Sequence, residues 1–104
     1  MLTKMLSPKD PAAEVTIVFD FADQLGPVAQ IASADAVTVT TDRGDDATPG
    51  ATLKGASTNA GTKVYQPVQA GTAHCDYRYK ARITTNESPT RKLVVAAILP
   101  VRPA

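Results

Sequence analysis

The 104-residue chain contains no tryptophan, one histidine and one cysteine, and its only aromatic residues are two phenylalanines and three tyrosines. A single cysteine excludes an internal disulfide framework, so packing, strand pairing or assembly must stabilise the fold. Because rings are scarce and alanine supplies much of the apolar content, the core must be thin, which two facing sheets build more readily than large helices. The length fits one domain.

Charge of either sign is not in excess, because the formal net charge is +1. Such a balanced chain has no strong field to attract nucleic acid or an anionic membrane, so we expect neither as a partner. No run approaches the roughly 20 consecutive apolar residues of a membrane span. The first residues also lack the apolar stretch of roughly 7 to 15 residues found in a secretory signal, so we expect no export by that route.

The strongest pattern present is a strict alternation of polar and apolar residues from His74 to Ile83. A period of two predicts a β-strand with one face toward a core and one toward water. An earlier strand has the same period, with four inward positions: Val15, Ile17, Phe19 and Phe21. These strands predict an all-β antiparallel sandwich.

The segment around Ile31 to Val39 breaks this regularity. Its apolar residues share one parity with Asp35, so either the strand is bulged near Ala34 or Asp35 lies at a sheet edge, and we favour the bulge.

Shorter patterns predict the remaining elements. Residues 41–50 are polar and rich in turn formers, which indicates a mobile surface loop. A short strand is expected over residues 52–57 and a further strand over residues 63–68. The turn formers at residues 86–89 indicate an antiparallel hairpin between the last two strands.

Two segments near the chain ends suggest contacts with other subunits. Residues 1–13 contain Pro8 and Pro11, which favour an extended arm outside the core. Residues 93–99 are apolar throughout, so both faces of that strand avoid water, and the second face needs a cover from a neighbouring subunit or from the arm. The predicted organisation is an arm over 1–13, a sandwich domain over 14–101 and a tail over 102–104.

Few residues are candidates for catalysis or metal binding. His74 and Cys75 are adjacent, but neighbours in a strand project to opposite faces, so they do not predict a nucleophile and its base. Asp42, Asp45 and Asp46 could offer oxygen ligands to calcium, yet their spacing does not match an EF-hand, and a solvated loop is the preferred interpretation. We therefore predict no catalytic, cofactor-binding or metal-binding residues.

Several short motifs occur in order along the chain: Lys9-Asp10-Pro11, Phe19-Asp20-Phe21, Ile31-Ala32-Ser33, Gly71-Thr72 and Arg82-Ile83-Thr84-Thr85. With these motifs the chain resembles a family of small tailed-phage virion proteins, the immunoglobulin-like adaptors of tail, neck and fibres. The resemblance spans most of the chain. It departs at Phe21, where the family commonly has tryptophan, and in the longer acidic loop over residues 41–50.

The resemblance implies an immunoglobulin-like antiparallel sandwich of about seven strands. It also implies a non-enzymatic virion protein, made in the bacterial cytoplasm, that joins tail or neck components to fibres or neighbouring subunits. Its partners would be other phage virion proteins and further copies of itself, with no cofactor. In such a fold Tyr77 or Tyr79 would anchor a corner by bonding to backbone near Gly71-Thr72.

We predict that docking uses the arm and the last strand, through seven residues: Lys9, Asp10, Pro11, Leu93, Val95, Ile98 and Leu99. Burying an apolar side chain contributes about 1.5 to 3 kcal/mol, which exceeds the contribution of a surface ion pair. The alternative function is a carbohydrate-binding sandwich for host recognition, for which Tyr65 is the available aromatic residue.

Overall fold

A computed structural model describes residues 2–25, 30–86 and 89–103 and shows two packed β-sheets. The strands are β1 (Leu2–Met5), β2 (Val15–Asp20), β3 (Ile31–Ala34), β4 (Thr38–Arg43), β5 (Thr58–Ala60), β6 (Lys63–Val68), β7 (Cys75–Thr85) and β8 (Lys92–Val101). A short helix, α1 (Ala22–Leu25), follows β2, and one turn of 3-10 helix (Pro49–Thr52) follows β4. The predicted all-β sandwich is confirmed.

The larger sheet has the order β1-β8-β7, and β7 pairs on its other side with both β3 and β4. The smaller sheet has the order β2-β6-β5. Every pairing is antiparallel except that of β1, which runs parallel to β8. The sandwich proper thus has four strands facing three, and the arm adds β1 to the larger sheet. Its immunoglobulin-like character stays a prediction.

β3 and β4 lie end to end along one edge of β7. Ala34 pairs with Ile83 and Thr38 pairs with Lys80, so the edge strand has one more residue than β7 over this stretch. The extra residue makes this a bulge-like irregularity just after Ala34, and Asp35 also lies at the sheet edge, so both alternatives drawn from the sequence apply. The register shifts again near the start of β3 and near the end of β4, so this edge is irregular at three points.

The core lies between the sheets and is built from the alternating positions of β2, β7 and β8. Its largest fully buried side chains include four rings: Phe19, Phe21, Tyr77 and Tyr79. The inward face predicted for the first strand is confirmed, except that Val15 remains 39% exposed. The hairpin of β7 and β8 is confirmed as well, although the middle of its predicted turn, residues 87–88, lies outside the described residues.

The strand expected over residues 52–57 is wrong. Only Leu53 forms an isolated bridge, with Val68, and the third strand of the smaller sheet comes later, at Thr58–Ala60. The reason is local hydrogen bonding, because the Thr52 hydroxyl donates to the Pro49 carbonyl at 2.8 Å and closes the 3-10 turn.

A tyrosine closes the corner that leads into β7. The Tyr77 hydroxyl accepts a hydrogen bond from the Thr72 N–H at 2.7 Å and donates one to the Asp46 carboxylate at 2.5 Å. Gly71 precedes this corner with a φ of +104°, and a Cβ there would lie 3.1 Å from the Val101 side chain. The corner predicted for one of two tyrosines is therefore made by Tyr77.

Tyr79 has a different role, because its hydroxyl donates to Thr52 Oγ1 at 2.7 Å inside the core. The loop expected over residues 41–50 is shorter in the structure, because residues 41–43 belong to β4 and Pro49 begins the 3-10 turn. Asp46 lies in the segment between them. Its carboxylate also accepts the Thr48 N–H at 2.9 Å, so two contacts tie this loop to itself and to β7.

The corner contains a carboxylate whose protonation matters for stability. The hydrogen bond from Tyr77 lowers the pKa of Asp46 below its ordinary value of 3.8, and burial followed by the bond to Asp46 raises the pKa of Tyr77. The pKa of Asp46 is lower in the folded than in the unfolded chain. The contribution of Asp46 to the stability of the fold is therefore fully present at pH values above its pKa in the unfolded chain. This contribution is lost as the pH falls through the pKa that Asp46 has in the folded chain.

We expect Tyr77→Phe to lower the free energy of unfolding by about 1 to 2 kcal/mol at neutral pH, because the Thr72 N–H and Asp46 lose a partner. The deficit should shrink at acid pH, where Asp46 is protonated in both proteins. Urea unfolding at several pH values, from neutral to about pH 2, measures this. Tyr79→Phe is the matched control, since it loses a neutral partner and its deficit should not follow Asp46. Equal pH profiles for the two variants would contradict the prediction.

Candidate docking surfaces

The structure places the predicted interface residues in different environments. Val95 and Leu99 are 4% and 3% exposed, and Leu93 packs against the same core. Ile98 lies on the opposite face of β8 and is half-buried. Within the larger sheet, β8 has β1 and β7 on its two sides. Its inward side chains pack against the chain's own smaller sheet.

Lys9 is buried at 4% exposure and fastens the arm to the end of β8. Its N–H donates to the Pro100 carbonyl at 2.9 Å, and its carbonyl accepts the Arg102 N–H at 2.8 Å. Its ammonium donates to the carbonyls of Ala70 at 2.6 Å and Asp10 at 2.9 Å. Burial lowers the pKa of Lys9, against the opposing influence of nearby carboxylates. The arm is therefore docked on its own domain.

Asp10 and Pro11 form the turn that leads from this anchor toward β2. The Asp10 carboxylate accepts the Ala12 N–H at 2.8 Å, and the Asp10 carbonyl accepts the Ala13 N–H at 3.0 Å. An aspartate followed by proline is a common turn former, so the sequence contained a signal for this turn. It contained none for the burial of Lys9.

Arg102 and Asp76 were not singled out from the sequence, yet they tie the tail to β7. Arg102 Nη2 donates to Asp76 Oδ1 at 2.7 Å, and Nη1 donates to the Cys75 and Val101 carbonyls at 3.3 and 2.9 Å. Asp76 stands on the charged face of the alternating strand and is nevertheless buried, at 8% exposure.

The candidate catalytic and metal-binding residues do not come together in one site. Cys75 is buried and His74 is exposed, but the strand expected to begin at His74 begins at Cys75. His74 lies in the preceding turn with a φ of +66°, so the turn and not strand alternation separates the two side chains. A Cβ at Gly44 would lie 2.5 Å from Cys75 Sγ, so the loop packs directly on the thiol. Asp42 accepts a hydrogen bond from Arg78 at 3.3 Å while Asp46 binds Tyr77. In the described ranges, no three His, Cys, Asp or Glu side chains come together as metal ligands.

The outer face of the larger sheet contains an apolar strip formed by the arm and the last strand. Val94 and Ile98 are half-buried there, with the buried Ala96 between them. Met5 of β1 lies opposite Ile98 and is 65% exposed. We call these four residues the outer strip: Met5, Val94, Ala96 and Ile98. Met5 is the exposed residue of the outer strip, and Val94 and Ile98 are partly accessible beside it.

Basic side chains of β7 border the outer strip. Arg78 pairs with Asp42 at 3.3 Å, and Arg82 pairs with Asp35 at 2.5 Å. Lys80 stands between them, opposite Ala96, and forms no ion pair within the part of the chain that the structure describes. The face thus combines apolar area with the Lys80 ammonium, a mixture that supports oriented protein contacts.

A family model described as podophage GP4 fiber-tail adaptor protein gp77 matches residues 9–97. The chain belongs to this family. The match confirms the resemblance to phage fibre-tail adaptors, and the family is one of virion structural proteins. The matched region begins at Lys9, the residue that anchors the arm, and ends within β8. No curated protein and no solved structure matches the chain. Among the described residues of this adaptor, no helix is long and apolar enough to span a membrane.

Two truncations of the adaptor separate β1 from the Lys9 anchor. We expect removal of residues 2–7 to leave a stably folded sandwich, because the bonds of Lys9 remain. Removal of residues 2–13 should lower the free energy of unfolding by a further amount of about 2 to 4 kcal/mol, since several hydrogen bonds of Lys9 are lost. Urea unfolding followed by circular dichroism measures both. Equal stability of the two truncated chains would show that Lys9 is not an anchor.

Proposed function

We propose that the chain is a non-enzymatic structural protein of the phage virion that joins tail or neck components to fibres or to neighbouring subunits. Docking would use the arm and the last strand. Membership of the fibre-tail adaptor family supports this role. The outer strip supports the surface, because β1 from the arm and β8 lie side by side there and leave apolar side chains open to a partner.

The outer strip carries this proposal. Met5 and Ile98 are paired across two strands and point to the same side of the sheet. Covering such side chains contributes up to about 1.5 to 3 kcal/mol each, and the flanking ion pairs contribute less. The ammonium of Lys80 would favour a partner with a carboxylate beside its apolar contact.

The predicted interface residues divide by role in this proposal. Ile98 contacts the partner directly. Val95 and Leu99 hold β8 against the core, and Lys9 holds the arm in place, so they support the outer strip without belonging to it. Self-association would use the same outer strip, since repeated symmetric contacts are the usual mode of assembly for small virion modules.

The alternative of a carbohydrate-binding module rests on Tyr65. All five aromatic residues are described, and four of them are buried in the core: Phe19, Phe21, Tyr77 and Tyr79. Tyr65 is half-buried in the central strand of the smaller sheet. A single ring is a poor platform for stacking sugars, so the adaptor is the better supported function.

We expect Ile98→Asp and Met5→Asp to leave the purified chain folded, because both side chains face outward. In phage complemented with either variant, the amount of the chain in purified particles should fall at least about tenfold, equivalent to 1.4 kcal/mol. Ala60→Asp, on an exposed position of β5, is the matched control and should assemble normally. Normal incorporation of both outer-strip variants, measured by quantitative mass spectrometry, would refute the proposed surface.

A further inference from the structure

The two sheets of the sandwich differ in width at the side of the arm. The larger sheet ends in β8 and then β1, whereas the smaller sheet ends in β2. β2 lies across from β8, so no strand of the described chain lies across from the arm. A groove of about 350 Å³ occupies this position. We call it the β2 groove, and its lining includes Leu6, Lys9, Val15, Ile17, Val18 and Leu99.

The wall of the β2 groove is a strand edge with free hydrogen-bonding groups. Thr16 pairs with Pro67, which has no N–H, and the Pro67 carbonyl accepts the Lys54 N–H at 3.0 Å on its other side. The N–H and C=O groups of Thr16, and by alternation those of Val18, therefore point away from β6 and toward the groove. Within the described residues, no strand pairs with this edge.

The other sheet edges are protected against strand addition, whereas this one is not. β5 has three residues, the β3 and β4 edge is bulged, and β1 is short and followed by Pro8. Short strands, bulges and prolines are the usual devices that blunt an edge. β2 has six residues in regular register and no proline. Two of the large hydrophobic residues exposed in the described chain, Val15 and Val18, belong to β2.

The charge at the end of the groove restricts what can bind. A second cavity continues the groove past Val18 and is lined by Asp20 and Asp23. Asp23 is exposed and forms no ion pair with any residue in the described ranges. A cationic side chain is therefore the complementary group at this end.

We propose that the β2 groove receives an extended segment of a partner protein as a fourth strand of the smaller sheet. The segment would have apolar residues at alternating positions, facing Leu6 and Leu99, and a lysine or arginine at the end near Asp20 and Asp23. That the partner is a virion protein rests on the proposed function. The β2 of a second copy does not fit in the groove. In that copy β8 lies across from β2, so it would occupy the place of β1 of the first copy.

A tethered donor strand tests the groove without any partner. The Arg102 N–H binds the Lys9 carbonyl beside the groove, so a strand appended to the carboxyl end starts close to it. The probe is the full chain followed by a flexible Gly-Ser linker of about ten residues and the sequence Lys-Val-Thr-Val-Thr-Val. We expect hydrogen exchange of the Thr16 and Val18 amides, followed by NMR, to slow at least about tenfold. The amides of β5, at the opposite edge of this sheet, should be unchanged.

Three controls make the result specific. A donor with proline in place of its central valine should give no protection, and a donor with glutamate in place of lysine should give less. In the domain that receives the donor, Val18→Pro removes an N–H that points to the groove. This substitution should abolish the protection of the Thr16 amide by the donor. Absence of protection in a folded chain with the original donor, or protection at β5 instead, would overturn the proposal.

Particle assembly tests the partner. Val18, Tyr65 and Thr58 lie in one row across the smaller sheet, so Val18→Lys and Thr58→Lys place the same charge on the same face at opposite edges. We expect Val18→Lys to lower the fibre content of purified particles at least about tenfold, equivalent to 1.4 kcal/mol, and Thr58→Lys to leave it normal. If Val18→Lys particles are normal while Ile98→Asp blocks assembly, the groove proposal fails and the proposed function stands.

Discussion

The pairing of β8 with strands on both sides is the constraint on which the rest of the structure depends. β8 is apolar on both faces, and β7 alone would leave one of its edges open. The arm closes that edge in parallel, and the backbone bonds of Lys9 to Pro100 and Arg102 hold it there. A small domain without disulfides thus obtains a wider sheet from its N-terminal arm.

Burying a lysine to hold the arm is expensive in solvation, and the structure shows how it is compensated. The ammonium has two carbonyl acceptors, from Ala70 and Asp10, and nearby carboxylates oppose the desolvation that lowers its pKa. Ala70 belongs to the turn before the Tyr77 corner, and the Arg102 N–H binds the Lys9 carbonyl, so the arm, this turn and the tail meet at one residue. A disturbance of any of the three should be felt by the others.

Local periodicity was sufficient to predict much of the fold and little of the site. The alternation of β7, the strand at Lys63–Val68 and the bulge near Ala34 follow from residues close in sequence. The apolar run of residues 93–99 indicates that β8 needs a cover but leaves open which segment provides it. The pairing of the arm with β8 and the burial of Lys9 depend on segments about ninety residues apart, for which a single sequence offers no pattern. The strand expected over residues 52–57 failed because side-chain hydrogen bonds of Thr52 favour a turn over strand pairing.

The position of β1 connects the two surfaces inferred for this adaptor. Its outward side contributes Met5 to the outer strip, and the arm residues that follow it line the β2 groove on the inward side. A partner strand in the groove would pack against Leu6 and hold the arm more firmly to β8, which would also fix Met5 beside Ile98. The two contacts would then strengthen each other through the ordering of one short segment, without any change in the sandwich core.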